Sequence, residues 1–280
     1  MRVTILLALV LGFLAARLVT MSAPELRDSP VLARTNFRGV ALATASGLVV
    51  VAGVLIVEAG RSVLGAFGFG DEPGVNAARS LVLFAVFGFA LLGFIDDVLG
   101  GEDRGFRGHL LALRQGRVTT GMLKLAGGAA IAFVLAAQPG FVTGKRLLAD
   151  AVLIALAANL GNLLDRAPGR VLKCALVAYV PLAFIAGTGP VGIAVAPVMG
   201  AAAGVLPDDL RERSMLGDTG ANLLGGVLGL MAVFTLGRGA RTAVLVALVV
   251  ANLASEFVSY SRVIERVPPL RWADGLGRRR

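Results

Sequence analysis

The sequence predicts an all-α polytopic membrane protein, and its composition is the first reason. Of the 280 residues, 56% are hydrophobic and only 16% are charged, and the mean hydropathy is +0.81. Soluble domains are about 45–50% apolar and about 25% charged, so a soluble fold of this size could not bury the apolar excess. The 37 glycines agree with this class, because glycine is more frequent in membrane helices than in soluble ones.

Apolar segments of sufficient length are the second reason, since a bilayer core of about 30 Å needs about 20 helical residues, or ~17 at the short end. We predict about nine membrane helices, near residues 3–20, 40–57, 80–95, 120–137, 149–164, 172–187, 190–206, 219–236 and 242–258. The first segment loosely resembles a signal peptide, but we expect it to remain uncleaved because eight further apolar segments follow. No repeat or linker divides the chain, so residues 1–280 are predicted to form a single integral membrane domain.

The uncharged stretch of residues 174–207 is divided into two helices in this prediction. As one helix it would be about 50 Å long, which is too long for the bilayer core. Gly187, Gly189 and Pro190 form a turn signal in its middle, because glycine and proline interrupt helices. We therefore expect two helices joined by a tight turn.

The distribution of Lys and Arg predicts the orientation. With the N-terminus outside, the inner segments contain 18 of these residues and the outer segments contain 7. Such an excess is typical of the cytoplasmic side, so we predict a cytoplasmic C-terminus and an inner (plasma) membrane location. The inner segments are residues 21–39, 96–119, 165–173, 207–218 and 259–280, and the outer ones are residues 1–2, 60–79, 138–148 and 237–241.

The same bias explains the formal net charge of +9. Nucleic acid is not an expected partner, because the sequence has no basic stripe with interleaved aromatic residues.

Three polar clusters contain the candidate chemistry, at residues 93–97, 159–165 and 217–220. Each lies at or just beyond a predicted helix end, and the predicted orientation places all three ends inside. Because the clusters are far apart in sequence but share one side, we expect a single site that faces the cytoplasm.

Asp96 and Asp97 are adjacent carboxylates at the end of the first cluster. Like charges at a membrane edge repel each other, and partial desolvation raises the cost. A divalent cation or a partner base would relieve it, and carboxylate oxygens suit Mg²⁺, which usually takes one or two of them with substrate phosphates. A pair of solvated helix-capping aspartates explains these two residues equally well.

The other two clusters combine acidic and amide side chains. Asp218 opens the eighth predicted helix, where a carboxylate caps free N–H groups and where those same groups also suit an anion such as a diphosphate. Asn159 and Asn162 share a helix face near Asp165. Their amides are suited either to hydrogen bonds between helices or to a nucleotide or metal.

Basic side chains complete the candidate site. Lys124 lies within a predicted membrane helix, where a charge is costly. Arg38 lies near Arg34 in the first inner loop. His109 lies in the second, where we expect a solvated loop residue, with a catalytic role as the less favoured alternative. Loop arginines suit phosphate, although topology alone explains most of them. The second loop also contains Arg104, Arg107, Arg114 and Arg117.

The order of these motifs resembles a known family. Phe94-Ile95-Asp96-Asp97 is followed by Lys124, by residues 159–165 and by residues 215–226, which read Met-Leu-Gly-Asp-Thr-Gly-Ala-Asn-Leu-Leu-Gly-Gly. The set resembles the polyprenyl-phosphate N-acetylhexosamine-1-phosphate transferase superfamily (glycosyltransferase family 4). Its members include phospho-N-acetylmuramoyl-pentapeptide transferase and the UDP-N-acetylglucosamine-1-phosphate transferases. The likeness extends over roughly residues 30–265 and includes the first inner loop.

The resemblance implies a Mg²⁺-dependent membrane enzyme of cell-envelope glycan synthesis. Polyprenyl phosphate attacks the β-phosphate of a UDP-sugar in such enzymes and releases UMP. Asp218 is implied as the Mg²⁺ ligand, with help from the pair Asp96 and Asp97. Asp96, beside Asp97, is implied as the base or the organiser of the lipid phosphate. Lys124 would offset diphosphate charge, as cations do at a transferring phosphate. The implied substrate-binding residues are Asn159, Asn162, Asp165 and Arg38. A homodimer is left open.

Several departures from the family pattern leave the activity open. Pro168 stands where the third motif usually has its second Asp, and Ala221 stands where a Ser is usual. The histidine run of the pentapeptide-transferase branch is absent, and the predicted helix count is one or two lower. An atypical sugar specificity and a non-catalytic relative that binds the lipid carrier or a partner are therefore alternatives. A secondary transporter is less favoured, because transporter charges usually lie near the midplane within inverted repeats.

Overall fold

Helices make up most of the computed structural model, which describes residues 2–69, 73–100, 116, 119–138 and 143–278. In chain order the helices are α1 (Arg2–Ser22), α2 (Pro24–Arg27), α3 (Ser46–Ala66), α4 (Pro73–Leu99), α5 (Thr120–Ala136), α6 (Gly144–Leu164), α7 (Arg170–Ala186), α8 (Pro190–Leu210), α9 (Gly217–Thr235), α10 (Arg238–Ser255), α11 (Tyr260–Arg266) and α12 (Pro268–Gly275). A 3₁₀ turn at Pro30–Leu32 leads into a hairpin of β1 (Ala33–Thr35) and β2 (Ala41–Ala43). The all-α class is confirmed apart from this hairpin.

Seven of the described helices are long and apolar enough to cross a membrane, which agrees with a polytopic membrane protein. They are α1, α3, α4, α6, α8, α9 and α10. Two more, α5 and α7, have 17 residues each. The nine predicted segments all overlap one of these helices, but nine membrane crossings and their orientation stay predictions.

The start of the second predicted segment was wrong. Residues 40–57 were expected to be helical, whereas β2 occupies the beginning of that segment and pairs antiparallel with β1. The side chain of Asn36 forms the turn between the strands, because its Oδ1 accepts the backbone N–H groups of Arg38 and Val40 at 2.8 and 2.9 Å. The apolar run therefore changes from strand to helix near Ser46.

The predicted division of residues 174–207 is confirmed. α7 ends at Ala186, and α8 begins at Pro190. Gly187 has a φ of +52°, and the N–H of Gly189 donates to the carbonyl oxygen of Ala186 at 3.0 Å. Glycine adopts this left-handed backbone at no steric cost, so the chain reverses within a few residues.

The most buried helix, α9, packs against α4, α6 and α3. Two glycines let the neighbouring backbones come close to it. A Cβ atom added at Gly93 of α4 would lie 2.2 Å from the carbonyl oxygen of Asp218, and one at Gly161 of α6 would lie 2.3 Å from that of Ala221. Small residues permit such close helix packing in membranes. The ends of α4 and α6 are thereby brought to the start of α9.

Candidate active site

Lys124 joins two carboxylates from helices that are far apart in sequence. Its Nζ lies 2.6 Å from Oδ2 of Asp96 near the end of α4, and 2.5 Å from Oδ2 of Asp218 at the start of α9. The side chains of Lys124, Asp96 and Asp218 are 15%, 20% and 27% exposed. Partial burial strengthens such ion pairs, because less water screens the charges. The predicted motifs therefore meet in one charged cluster, called here the Lys124 cluster.

The beginning of α5 fixes the position of Lys124. The hydroxyl of Thr119 accepts the N–H of Met122 at 3.2 Å and caps the first turn. Thr120 and Lys124 are four residues apart and lie on one helix face. The Thr120 hydroxyl donates to Oδ1 of Asp96 at 2.7 Å, while Lys124 binds Oδ2. Both carboxylate oxygens of Asp96 are thus held by α5.

Asp97 has a different environment, although it is adjacent to Asp96. Its Oδ1 accepts the N–H of Asp218 at 3.0 Å, and its Oδ2 accepts the N–H and hydroxyl of Thr219 at 2.9 and 2.7 Å. These N–H groups belong to the first turn of α9, where no intrahelical acceptor is available. Asp97 is only 8% exposed. It therefore caps α9 from another helix and fixes Asp218 relative to Asp96.

Asn162 reaches the Lys124 cluster from α6. The neighbouring donors and acceptors orient its amide nitrogen toward Asp218, where it donates to Oδ1 and Oδ2 at 2.6 and 3.0 Å. The amide oxygen then accepts from Nζ of Lys124 at 3.2 Å. Asn162 thus contacts two of the three charged residues.

Asn159, one turn earlier in α6, makes a hydrogen bond with a neighbouring helix. Its Nδ2 donates to Oδ1 of Asn252 in α10 at 2.7 Å. Nδ2 of Asn252 in turn donates to the carbonyl oxygens of Leu156 and Leu248 at 3.2 and 2.8 Å. This interhelical bonding was the alternative explanation of Asn159, and its contact with a substrate stays a prediction.

A cavity of about 390 Å³ opens beside the Lys124 cluster. Carboxylates outnumber guanidinium groups on its wall, so the cavity favours cations. Burial, followed by repulsion from neighbouring carboxylates such as Asp209, raises the pKa of Asp165 well above its usual value. The charged residues on the wall are Arg34, Asp97, Asp165, Arg166, Asp209, Glu212 and Asp218.

Arg38 lies on the hairpin beside this cavity. One of its terminal nitrogens is 3.3 Å from Oε1 of Glu212, and its guanidinium carbon is 5.3 Å from the centre of the Phe37 ring. Asn36 donates to Oε2 of Glu212 at 2.9 Å. Arg34 donates to the carbonyl oxygen of Val98 at 3.0 Å, in the last turn of α4. The hairpin is therefore fastened to the cavity wall and to α4.

The remaining basic candidates belong to the second predicted inner loop. Arg104, Arg107, His109, Arg114 and Arg117 lie outside the described residues.

Asp209 and Glu212 are cavity residues that sequence reasoning missed. Asp209 accepts the N–H of Gly169 and, at 2.8 Å, the N–H of Leu216, so it joins two loops of the site. Glu212 has a φ of +53°, which is strained for a residue other than glycine. A signal was available for Asp209, because Asp208 and Asp209 form an acidic pair at a predicted helix end, like Asp96 and Asp97.

Hydrogen bonds from both sides hold the atypical third motif, in which Pro168 stands where an Asp was expected. The carbonyl oxygen of Pro168 accepts from Nε of Arg278 at 2.9 Å. Gly169 follows with a φ of +68° and donates its N–H to Asp209. The loop is thus held by the C-terminal segment and by the end of α8.

The donors around the cavity fit Mg²⁺ only together with a phosphorylated substrate. No group of three or more His, Cys, Asp or Glu side chains among the described residues is arranged to hold a metal ion. Asp165 and Asp218 do line the same cavity. Mg²⁺ commonly takes one or two carboxylates and completes its octahedron with water and phosphate oxygens, which these two residues could satisfy.

Curated proteins similar to this chain include two transferases from different bacteria. Phospho-N-acetylmuramoyl-pentapeptide-transferase of Oceanobacillus iheyensis is 29% identical over 184 residues, which cover 58% of this chain and 53% of the relative. The same enzyme of Syntrophus aciditrophicus is 28% identical over 193 residues, which cover 55% of this chain and 51% of the relative. The chain is thus similar to these transferases over more than half of its own length.

The resemblance predicted from the ordered motifs is therefore confirmed. The chain spans about half the length of the curated transferases it matches. No protein-family model matches it.

Proposed function

We propose that the chain transfers a sugar 1-phosphate of the N-acetylhexosamine type from a UDP-sugar to polyprenyl phosphate and releases UMP. The observation that carries this proposal is the bridging of Asp96 and Asp218 by Lys124, beside a cavity lined with charged side chains. A cation and carboxylates at one helix junction suit a diphosphate with a divalent metal. The names of the two relatives support transfer of a sugar phosphate as the reaction class.

The proposed reaction exchanges one P–O bond for another. An oxygen of the lipid phosphate attacks the β-phosphorus of the UDP-sugar and forms the new bond. The bond from the β-phosphorus to the oxygen that bridges the two phosphates breaks, and its electron pair leaves on UMP. A phosphate monoester has a second pKa of about 6, so near neutral pH the attacking group is mostly dianionic and needs no proton removal.

Lys124 and Asp96 have different roles in this proposal. The ammonium group of Lys124 offsets the charge that develops on the transferring phosphate. A diphosphate that displaces one carboxylate from Lys124 leaves the other in place to orient it. Asp96 suits the orienting role, because Thr120 also holds it. Asp96 is then a positioning residue rather than the base.

Asp218, with Asp165, would hold Mg²⁺ in the proposed site. The ion, when bound, neutralises charge on the transferring phosphate. Asn162 orients the Asp218 carboxylate, and Asp97 fixes its backbone through the cap on α9. The nucleotide is proposed to bind beside Asp165, which lines the cavity, and Arg38, which lies on the adjoining hairpin. This side of the site is proposed to face the cytoplasm.

Release of UMP by the purified full chain tests this function. We expect UMP from at least one UDP-N-acetylhexosamine when polyprenyl phosphate and Mg²⁺ are both present. Omission of polyprenyl phosphate separates transfer from hydrolysis, and chelation of divalent ions tests the metal. Binding of polyprenyl phosphate without any UMP release would favour a non-catalytic relative, the alternative supported by Pro168 in the third motif.

A further inference from the structure

A second charged cavity lies at the other end of α6 from Asp165. Its volume is about 320 Å³, and it is formed where α6 and α10 begin. A helix of 21 residues is about 30 Å long, so this cavity is separated from the Lys124 cluster by the length of a membrane helix. Its charged residues are Lys145, Arg146, Asp150, Arg238 and Arg241.

The charges in this cavity are not balanced. Asp150 is buried and accepts from Arg241 at 2.9 Å and from Arg146 at 3.5 Å. Lys145 and Arg238 are exposed and form no ion pair within the part of the chain that the structure describes. Four cations therefore surround a single carboxylate, and two of the cations are available to an anion.

Membrane topology does not explain this concentration of positive charge. The predicted outer segments contain 7 Lys and Arg residues in all, and four of them line this one cavity. Two others, Arg61 and Arg79, bind the buried Glu58 at 2.7 and 2.5 Å. Because the positive-inside bias disfavours cations on this side, their convergence requires a local reason.

An apolar cavity of about 590 Å³ adjoins the charged one. Leu153 lines both, and the apolar walls come from α6, α7, α9 and α10. The combined space is cationic at the end of the helices and apolar along their length. A phosphate group attached to a hydrocarbon chain matches both parts.

We propose that the charged cavity binds the headgroup phosphate of an anionic phospholipid, with an acyl chain in the adjoining apolar cavity. Lys145 and Arg238 bind the phosphate, and Arg241 is held in place by Asp150. The first N–H groups of α6 and α10 add to the attraction for an anion. The lipid comes from the leaflet opposite the Lys124 cluster. This site does not depend on the proposed transferase activity.

Native mass spectrometry of the purified full chain tests the proposal, with phosphatidylglycerol and phosphatidylcholine of identical acyl chains as probes. We expect phosphatidylglycerol to bind at least about fivefold more tightly, because one cation near an anionic headgroup contributes about that factor. Equal binding of the two lipids would overturn the proposal. So would full displacement of phosphatidylglycerol by an equal concentration of glycerol phosphate, because that result would indicate a site for free anions.

Charge variants locate the site. Lys145→Gln combined with Arg238→Gln should abolish the preference for phosphatidylglycerol, and the charge-conserving pair Lys145→Arg with Arg238→Lys should keep it. Arg262→Gln with Arg266→Gln is the matched control, because these exposed arginines lie on α11. Retention of the preference by the first double variant would refute the assignment. All these positions are exposed, so thermal unfolding should be unchanged.

A volume variant tests the acyl chain separately. Ala243→Phe adds a ring to the wall of the apolar cavity and leaves every charge in place. It should weaken phosphatidylglycerol and phosphatidylcholine binding alike. Unchanged binding of both lipids would exclude an acyl chain from this cavity.

Discussion

Arg170, the first residue of α7, donates two parallel hydrogen bonds of 2.9 Å to the carboxylate of Asp274 in α12. Arg278 donates to the same carboxylate at 2.6 Å and to the carbonyl oxygen of Pro168 at 2.9 Å. Bidentate pairs of this kind are among the stronger hydrogen bonds in proteins. The C-terminal helices are therefore fastened to the loop that borders the Asp165 cavity.

Asp274→Asn should lower the free energy that holds the C-terminal helices on this loop by about 3 kcal/mol, because the buried Arg170 would lose its charge partner. Protease cleavage after residue 260 and the fluorescence of Trp272, the single tryptophan, would report the change. Arg271→Gln is the control, since Arg271 is exposed on the same helix. Equal protease resistance of Asp274→Asn and wild type would show that the ion pair does not hold the segment.

The attachment should also depend on pH through Asp274. Burial opposes its ionisation, but the hydrogen bonds and charges of Arg170 and Arg278 outweigh burial and lower the pKa of Asp274 below 3.8. The stabilisation is then fully present above the unfolded value and is lost as the pH falls through the lower folded value. Cleavage by an acid-stable protease should accelerate below about pH 3.8 in wild type. Asp274→Asn should show no such step, and a wild-type step near neutral pH would contradict this assignment.

Lys124→Ala should slow the proposed transfer more than it weakens substrate binding. Asp96 and Asp218 would face each other without a cation, and charge on the transferring phosphate would lose its partner. We expect kcat for UMP release to fall about 100-fold or more, with a smaller change in KM. Arg262→Gln should keep the wild-type kcat. An unchanged kcat in a folded Lys124→Ala protein would remove Lys124 from the mechanism.

Asp96→Asn should lower kcat while leaving stability nearly unchanged. The substitution removes the repulsion from Asp97 but also removes an ion pair with Lys124. These two effects oppose each other, and Lys124 keeps Asp218 as a partner. Thermal unfolding with UMP release measured on the same preparation would check both parts. A large loss of stability would indicate that Asp96 is mainly structural.

Asp97→Asn should destabilise the protein by about 1 kcal/mol, because the carboxylate caps α9. A double-mutant cycle with Thr219→Val would separate the contribution of the Thr219 hydroxyl from that of the two backbone N–H groups that Asp97 caps. Each single variant and the pair would be compared by denaturant unfolding in detergent. Strict additivity would mean that the 2.7 Å bond between the two side chains contributes nothing measurable.

The predicted orientation can be checked by cysteine labelling on a Cys174→Ser background. Arg166→Cys lies beside the third motif and Lys145→Cys lies at the other end of α6, and both positions are exposed. An impermeant thiol reagent should label Lys145→Cys in intact cells and Arg166→Cys only after lysis. The reverse pattern would invert the topology while leaving the geometry of the site unchanged.

The sequence predicts the helices and the Lys124 cluster well for separate physical reasons. Long apolar runs can satisfy their backbone in lipid only as helices or closed barrels, so the overlap of all nine segments with helices is expected. Lys124 was identifiable because a charge within an apolar run is costly unless a partner is near. Asp96 and Asp218 were found as acidic residues at helix ends.

Other parts of the site depend on contacts that no local pattern encodes. The cap on α9 comes from Asp97, which is far from that helix in sequence. Asp96 and Asp97 are adjacent and have the same local sequence pattern, yet their environments differ. Asn159 and Asn162 share a helix face, yet one bonds to Asn252 and the other faces Asp218. The hairpin was missed because its second strand merges with an apolar helix in the sequence.

The close approach at Gly93 has a consequence for how the chain tolerates sequence change. The distance between the Asp96 and Asp218 backbones is set where Gly93 of α4 contacts the first turn of α9, because no side chain separates the two helices at that point. Substitutions at most of the surrounding lipid-facing positions should therefore leave that distance unchanged. An alanine at position 93 would instead force the end of α4 away from the start of α9, and Asp96 and Asp218 would separate with them.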